Sequence, residues 1–294
     1  MSFLHAVIVG LLQGVTELFP ISSLGHSVLV PALLGWKDPA LAHQASGESP
    51  YLAFVVGLHV ATSLALLAFF WRDWVRIIKG FFTAMFNRRL DTADERLAWL
   101  LVAATIPAGL TGLALEHTFR TVFAKPFAAA CFLTINGVIL VAGERLRRRV
   151  PVAVTSTGAA EVTATRSPVA LTFGEAFFVG IAQIGALFAG ISRSGITMVA
   201  GLVRGLDHED AVRFSFLLAT PIIFAAGVYK IPDLTGPLGD GIRGQVLAGS
   251  AAAFVAALVA IKFLVRYFET RTLTPFAIYC LVAGAACVVR FGLY

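Results

Sequence analysis

Two stretches of this chain align without a gap at an offset of 170 residues, and in both a strongly apolar run is interrupted by polar residues. VGLLQGVTELFPISSLGH, residues 9–26, matches VGIAQIGALFAGISRSGI, residues 179–196, setting Gly10 against Gly180, Gln13 against Gln183, Ser22 against Ser192 and Gly25 against Gly195. A broken hydrophobic hairpin that recurs in a second half is the pattern of a membrane protein whose two related halves meet around a midplane site. The breaks carry Gln13, Glu17, Ser22, Ser23, His26, Ser192, Arg193, Ser194 and Thr197. That set can handle phosphate.

Of the 294 residues, 58% are hydrophobic and only 14% charged, where an ordinary soluble domain has roughly a quarter charged. The chain reads as an integral membrane protein. Apolar runs long enough to cross a hydrocarbon core of about 30 Å fall at 51–70, 97–115, 126–143, 244–261 and 275–292, with a shorter sixth at 214–229 that carries Pro221. Residues 3–19 hold Gln13, Thr16 and Glu17, and residues 24–35 reach only about 18 Å as helix. Neither spans alone, so residues 3–36 are expected to form a re-entrant helical hairpin. Residues 173–205, broken at 190–195, form its counterpart.

Lys and Arg between the spans set the orientation. One side collects six between Arg72 and Arg96, five between Arg145 and Arg166, and Lys262, Arg266 and Arg271; the other has Lys37, Arg120, Lys125, Lys230 and Arg243. Fourteen against five makes the first side cytoplasmic and leaves both termini outside. A hairpin followed by three spans starts the second half on the opposite side from the first. The expected fold is therefore an all-α polytopic membrane protein, an inverted repeat of two units, each a re-entrant hairpin plus three transmembrane helices. Repeat one covers about residues 1–143, a cytoplasmic linker 144–172, and repeat two 173–294, within a single membrane domain over 1–294.

The net charge of +6 does not argue for nucleic acid, because the basic residues sit where topology signals belong. Cys131, Cys280 and Cys287 fall inside expected spans without metal-ligand spacing and read as packing residues. The first apolar run leads straight into the polar motif, so no cleavable signal peptide is expected. Residues 152–167, rich in Ala, Thr and Ser, read as a linker that carries no chemistry.

Gln13 and Glu17 are four residues apart and share a helix face. A carboxylate in an apolar segment is costly without a partner or a function. The alternative to a functional Glu17 is an ion pair with Arg193 that locks the two hairpins together. In PISSLGH, Pro20 and Gly25 break the helix and turn backbone N–H groups and the next helix N-terminus toward an anion. A lone His26 would read as a satisfied buried histidine; beside Ser22, Ser23 and Glu17 it reads as a general acid/base or nucleophile. In GISRSGIT, Arg193 offers bidentate geometry for phosphate, with Ser192, Ser194 and Thr197 as hydroxyl donors and the glycines allowing close backbone approach.

GLLQGVTELFPISSLGH resembles the first motif of the bacterial undecaprenyl-diphosphate phosphatase family, of the bacitracin-resistance type, and GISRSGIT resembles its second. The resemblance extends over nearly the whole chain, including the span after Tyr51 and the FSFLLATP segment. It implies a membrane hydrolase that removes the terminal phosphate of the C55 lipid diphosphate and regenerates the monophosphate carrier for cell-wall synthesis. It also implies a divalent cation, Mg²⁺ or Ca²⁺, and a site open to the outer face of the bacterial cytoplasmic membrane. Gln13 and Glu17 match the acidic motif, Ser22, Ser23 and His26 the serine-histidine segment, and Ser192, Arg193, Ser194 and Thr197 the second motif. Gln13 is the less acidic option, Leu24 stands where a small hydroxyl residue is usual, Ala189 replaces a usual Pro, and His59 stands near where Gln is common.

On this reading Glu17, Ser23, His26 and Arg193 are catalytic, with either Ser23 or His26 as nucleophile. Gln13, Ser22, Ser192, Ser194 and Thr197 bind substrate, and Glu17 holds the cation. The partners are a polyprenyl diphosphate lipid and the bilayer, with no nucleic acid; a homodimer is left open. The rival is a transporter that flips a polyprenyl phosphate, for which broken helices and an Arg-Ser anion site would serve equally well. Glu17 with His26 favours the enzyme.

Overall fold

A computed structural model of the chain describes residues 1–36, 50–123, 125–147, 166–229, 236 and 240–293. The expected linker at 152–167 lies, up to residue 165, outside the described residues.

Ser2 caps α1 (Phe3–Thr16) by accepting from the His5 amide, and the helix ends at Glu17, three residues before Pro20. Ser22, at φ 71°, caps α2 (Ser23–Leu34), which closes on Gly35 in the left-handed region. The second hairpin follows the same plan. A Thr172–Glu175 capping box opens α7 (Phe173–Ile184), a short 3-10 turn carries the chain to the break, and Ser192 caps α8 (Arg193–Val203). In both hairpins the capping hydroxyl accepts from the glycine amide three residues on, Gly25 or Gly195, at 3.2 Å.

Between the hairpins run α3 (Pro50–Phe69), α4 (Trp71–Asn87), α5 (Ala93–Phe123) and α6 (Pro126–Arg147); after the second come α9 (His208–Tyr229), α10 (Arg243–Phe268) and α11 (Thr274–Gly292). The described residues are helical, with no strand among them. Among the described residues five helices are long and apolar enough to cross a membrane, and α3 with α4, bent by 87°, make a sixth candidate. The protein is a multi-pass membrane protein. The basic segment after α3 is itself helical over Trp71–Asn87, as α4, turned 87° from α3. Trp74, Ile77 and Phe81 recur at helical spacing beneath Arg72, Arg76 and Lys79, and α4 packs along α5.

The halves exchange contacts. Each hairpin's first helix packs chiefly on a long helix of the other half, α1 on α10 and α7 on α5, while α6 pairs with α11 and α3 packs on α10 and α9. Equivalent glycines permit the first two contacts: a Cβ on Gly10 would run into the Gly249 carbonyl, and one on Gly180 into the Ala104 carbonyl. Small residues at such crossings let helix backbones touch where lipid offers no hydrophobic driving force. At one end, Glu144 Oε1 accepts from His208 Nε2 and from the Leu273 amide, both at 2.7 Å, and ties α6 to α9 and α11.

Candidate functional site

The two hairpin tips meet. Gly190, at φ 114°, donates its amide to Ser22 Oγ at 3.1 Å, and its Cα lies 2.9 Å from where a Cβ on Gly25 would stand. Asn136 on α6 clasps both breaks, donating Nδ2–H to the Pro20 carbonyl and accepting the Ser192 amide, each at 2.9 Å. The Phe19 carbonyl accepts from Ser192 Oγ at 3.3 Å and Ser194 Oγ at 3.1 Å. The break therefore leaves few backbone groups unsatisfied in a setting without water. It also sets the N-termini of α2 and α8, each carrying partial positive charge, beside one carboxylate.

That carboxylate is Glu17, whose side chain is 5% exposed. Its Oε1 accepts from Arg193 Nη2 at 2.9 Å; its Oε2 accepts from Gln13 Nε2 at 3.0 Å and Ser23 Oγ at 2.5 Å, and lies 3.3 Å from His59 Nε2. Arg193 Nη1 is buried and has no hydrogen-bond partner among the described residues. One guanidinium N–H group thus serves the carboxylate while another is held ready for a second acceptor. In so enclosed a setting an unmet donor is expensive, and an anionic ligand would satisfy it bidentately with the rest of the fork.

The sequence profile of the family described as Bacitracin resistance protein BacA matches residues 6–286. The chain belongs to the BacA family. It is 60% identical to Undecaprenyl-diphosphatase of Mycolicibacterium paratuberculosis over 100% of this chain and 98% of the relative. It is 56% identical to Undecaprenyl-diphosphatase 2 of Frankia alni over 100% of this chain and 99% of that one. A more distant relative, Undecaprenyl-diphosphatase 2 of Burkholderia orbicola, is 45% identical over 100% of this chain and 99% of its own length.

Within this BacA chain, the residues expected at the site divide into two groups. Gln13, Glu17, Ser23 and Arg193 converge on one another. Ser22, Ser192, Ser194 and Thr197 are buried nearby, and their hydroxyls serve the protein: Ser22 and Ser192 cap helices, Ser194 meets the Phe19 carbonyl, and Thr197 meets the Arg193 carbonyl and Ser215. His26 meets neither Glu17 nor Ser23 in a hydrogen bond among the described residues. Its Nδ1 faces the Ser22 carbonyl and its Nε2 the Tyr279 hydroxyl, each at 2.7 Å. A carbonyl only accepts, so the proton sits on Nδ1 and Nε2 accepts from Tyr279. Gln183, the mate of Gln13, faces no second carboxylate, since Leu187 stands where Glu17 stands in the first half.

Glu17 is the one carboxylate at the hairpin tips among the described residues, and its oxygens also accept from Arg193, Gln13 and Ser23. A divalent cation held there would draw most of its oxygen ligands from a bound phosphate. Among the described residues no group of three His, Cys, Asp or Glu side chains gathers to hold a metal ion.

Sequence reasoning missed Asn136 and Tyr279, and noted His59 without giving it a role. A single polar residue in an apolar span was the available signal in each case, but its partner lies 116 residues away for Asn136 and 253 for Tyr279.

Proposed function

We propose that this protein is a membrane phosphatase that hydrolyses undecaprenyl diphosphate to undecaprenyl phosphate and inorganic phosphate, returning the lipid carrier to cell-wall synthesis. The observation that carries the reading is the Ser23–Glu17–Arg193 arrangement: a hydroxyl donating to a buried carboxylate, beside a guanidinium with an unmet N–H group. Membership of the BacA family, and relatives named for this activity, support it.

The terminal phosphate docks on Arg193 Nη1, with the N-termini of α2 and α8 adding partial positive charge. Ser23 Oγ attacks phosphorus as its proton passes to Glu17 Oε2, and the bond from phosphorus to the bridging oxygen breaks, releasing undecaprenyl phosphate. Water then attacks phosphorus, the bond from phosphorus to Ser23 Oγ breaks, Glu17 returns the proton to Oγ, and the water's oxygen leaves with inorganic phosphate. Charge on the transferring group is stabilised by fixed donors, which is the main catalytic resource in phosphoryl transfer. Gln13 holds Glu17 in place, His26 anchors the start of α2 to Tyr279, and the remaining hydroxyls keep the two tips together. Any divalent cation draws most of its ligands from the oxygens of the diphosphate.

A flippase needs an anion site, but it has no use for a hydroxyl poised on a carboxylate, and that contact favours the enzyme. The two halves form an inverted repeat in this reading, supported by the exchange of α1–α10 and α7–α5 contacts. The protein sits in the bacterial cytoplasmic membrane with its site opening to the outer face, supported by the fourteen-to-five division of basic residues. Phosphate release from undecaprenyl diphosphate by purified protein in detergent tests the reading. Transport of a polyprenyl phosphate across vesicles without phosphate release would replace it with the flippase.

A further inference from the structure

His59 is the one residue around Glu17 that neither repeat motif contains. It comes from α3, outside both hairpins, and its side chain is 26% exposed, against 13% for Arg193 and 5% for Glu17. Among the charged groups at the site it stands nearest the open side. Its Nδ1 lies 2.8 Å from the Val55 carbonyl and its Nε2 3.3 Å from Glu17 Oε2. A carbonyl only accepts, and a carboxylate already accepting from Gln13, Ser23 and Arg193 only accepts as well. Nδ1 therefore donates to Val55, and a proton on Nε2 is what makes the 3.3 Å contact with Glu17 attractive. The charged groups facing it are Glu17 from α1 and Arg193 from α8.

We propose that His59 is a phosphate-binding residue of this site, exchanging Glu17 for an oxygen of the incoming diphosphate. The proposal rests on the phosphatase reading and adds a contact to it. The Nε2–H group is the weakest of the four contacts to Glu17, at 3.3 Å against 2.5 to 3.0 Å for the others. It also comes from the most exposed side chain of the four. Its transfer to phosphate leaves Arg193 Nη2 on Oε1 and frees Oε2 for the proton of Ser23. His59 then forms, with Arg193 Nη1, a two-sided clamp on the anion. A purely structural His59 would hold Glu17 in place and touch no ligand.

Inorganic pyrophosphate is the probe. Its affinity is measured by calorimetry on purified full-length protein for the wild type, His59→Gln and His59→Leu, with thermal stability recorded on the same samples. Phosphate release from a prenyl diphosphate is followed in parallel. Loss of a charge-assisted hydrogen bond to phosphate should weaken pyrophosphate binding roughly ten- to a hundredfold. His59→Gln, which keeps a neutral donor, should lose less than His59→Leu, and KM should rise more than kcat falls. Both variants binding pyrophosphate like the wild type, whatever their melting temperatures, would overturn the proposal. So would a wild type that binds no pyrophosphate. A wild type that binds pyrophosphate yet releases no phosphate from the lipid sinks the phosphatase reading alone, and the affinities of the variants still decide the role of His59.

Discussion

Ser23 and Arg193 hold the same position in the two halves, 170 residues apart, and both donate to Glu17, Ser23 to Oε2 at 2.5 Å and Arg193 to Oε1 at 2.9 Å. Each is the first residue of a helix that opens at a hairpin break. The aligned position thus carries a hydroxyl in one hairpin and a guanidinium in the other. Only the first hairpin carries the carboxylate that both address. Two similar hairpins in this way yield a single asymmetric site.

Arg193 cannot be replaced by another cation. A lysine ammonium at this position would pair with Glu17 or with phosphate, but its point charge does not reproduce the planar fork that serves both. Arg193→Lys and Arg193→Ala should each lower kcat/KM for phosphate release by about a hundredfold or more, the loss typical of a transition-state donor. Near wild-type turnover by the lysine variant would remove the clamp from the account.

Gly10 and Gly180 make matching close approaches, so they should respond alike to a methyl group. Gly10→Ala drives Cβ into the Gly249 carbonyl, and Gly180→Ala into that of Ala104. Overpacking of this kind costs about 1 to 3 kcal/mol. Thermal denaturation in detergent should show both variants destabilised to a similar extent. A tolerant Gly180 beside an intolerant Gly10 would mean that the two crossings are not equivalent.

Glu175, at the start of α7 and outside the spanning helices, has a carboxyl held down to about 2 from an ordinary 4.5. Hydrogen bonds from Arg166 are the main cause, aided by the Thr172 amide and hydroxyl. A carboxyl held low in the folded protein stabilises it fully above its ordinary value and loses that contribution as pH falls from about 4.5 toward 2. The wild type should therefore lose more of its melting temperature between pH 6 and pH 3, values set by about 1.5 units either side of the ordinary carboxyl value, than Glu175→Gln does. Equal losses would show that the pair is too well screened by solvent to matter.

Much of this architecture is legible in the chain because the membrane narrows the choices. The hairpins announce themselves at Pro20, Gly25, Gly190 and Gly195, where an apolar helix cannot continue, and the meeting of Glu17 with Arg193 follows from the cost of leaving either charge alone in lipid. The roles of the hydroxyls are harder to read. Ser22 and Ser192 each precede a glycine by three residues, which is also the spacing of a helix cap, and the structure uses them as caps. α4 was hidden by its own charges, since Arg72, Arg76 and Lys79 look like an inter-span segment unless the apolar spacing between them is followed. Asn136 and Tyr279 depend on partners brought together only by the tertiary fold, and no local pattern marks them.

The central claim is that Ser23, activated by Glu17, takes the terminal phosphoryl group of a prenyl diphosphate. The direct test is an acid quench of purified protein turning over undecaprenyl diphosphate labelled in its terminal phosphate. Label should appear on Ser23 of the wild type and as free phosphate, and Ser23→Ala should yield neither. Steady release of labelled phosphate by Ser23→Ala would contradict the account.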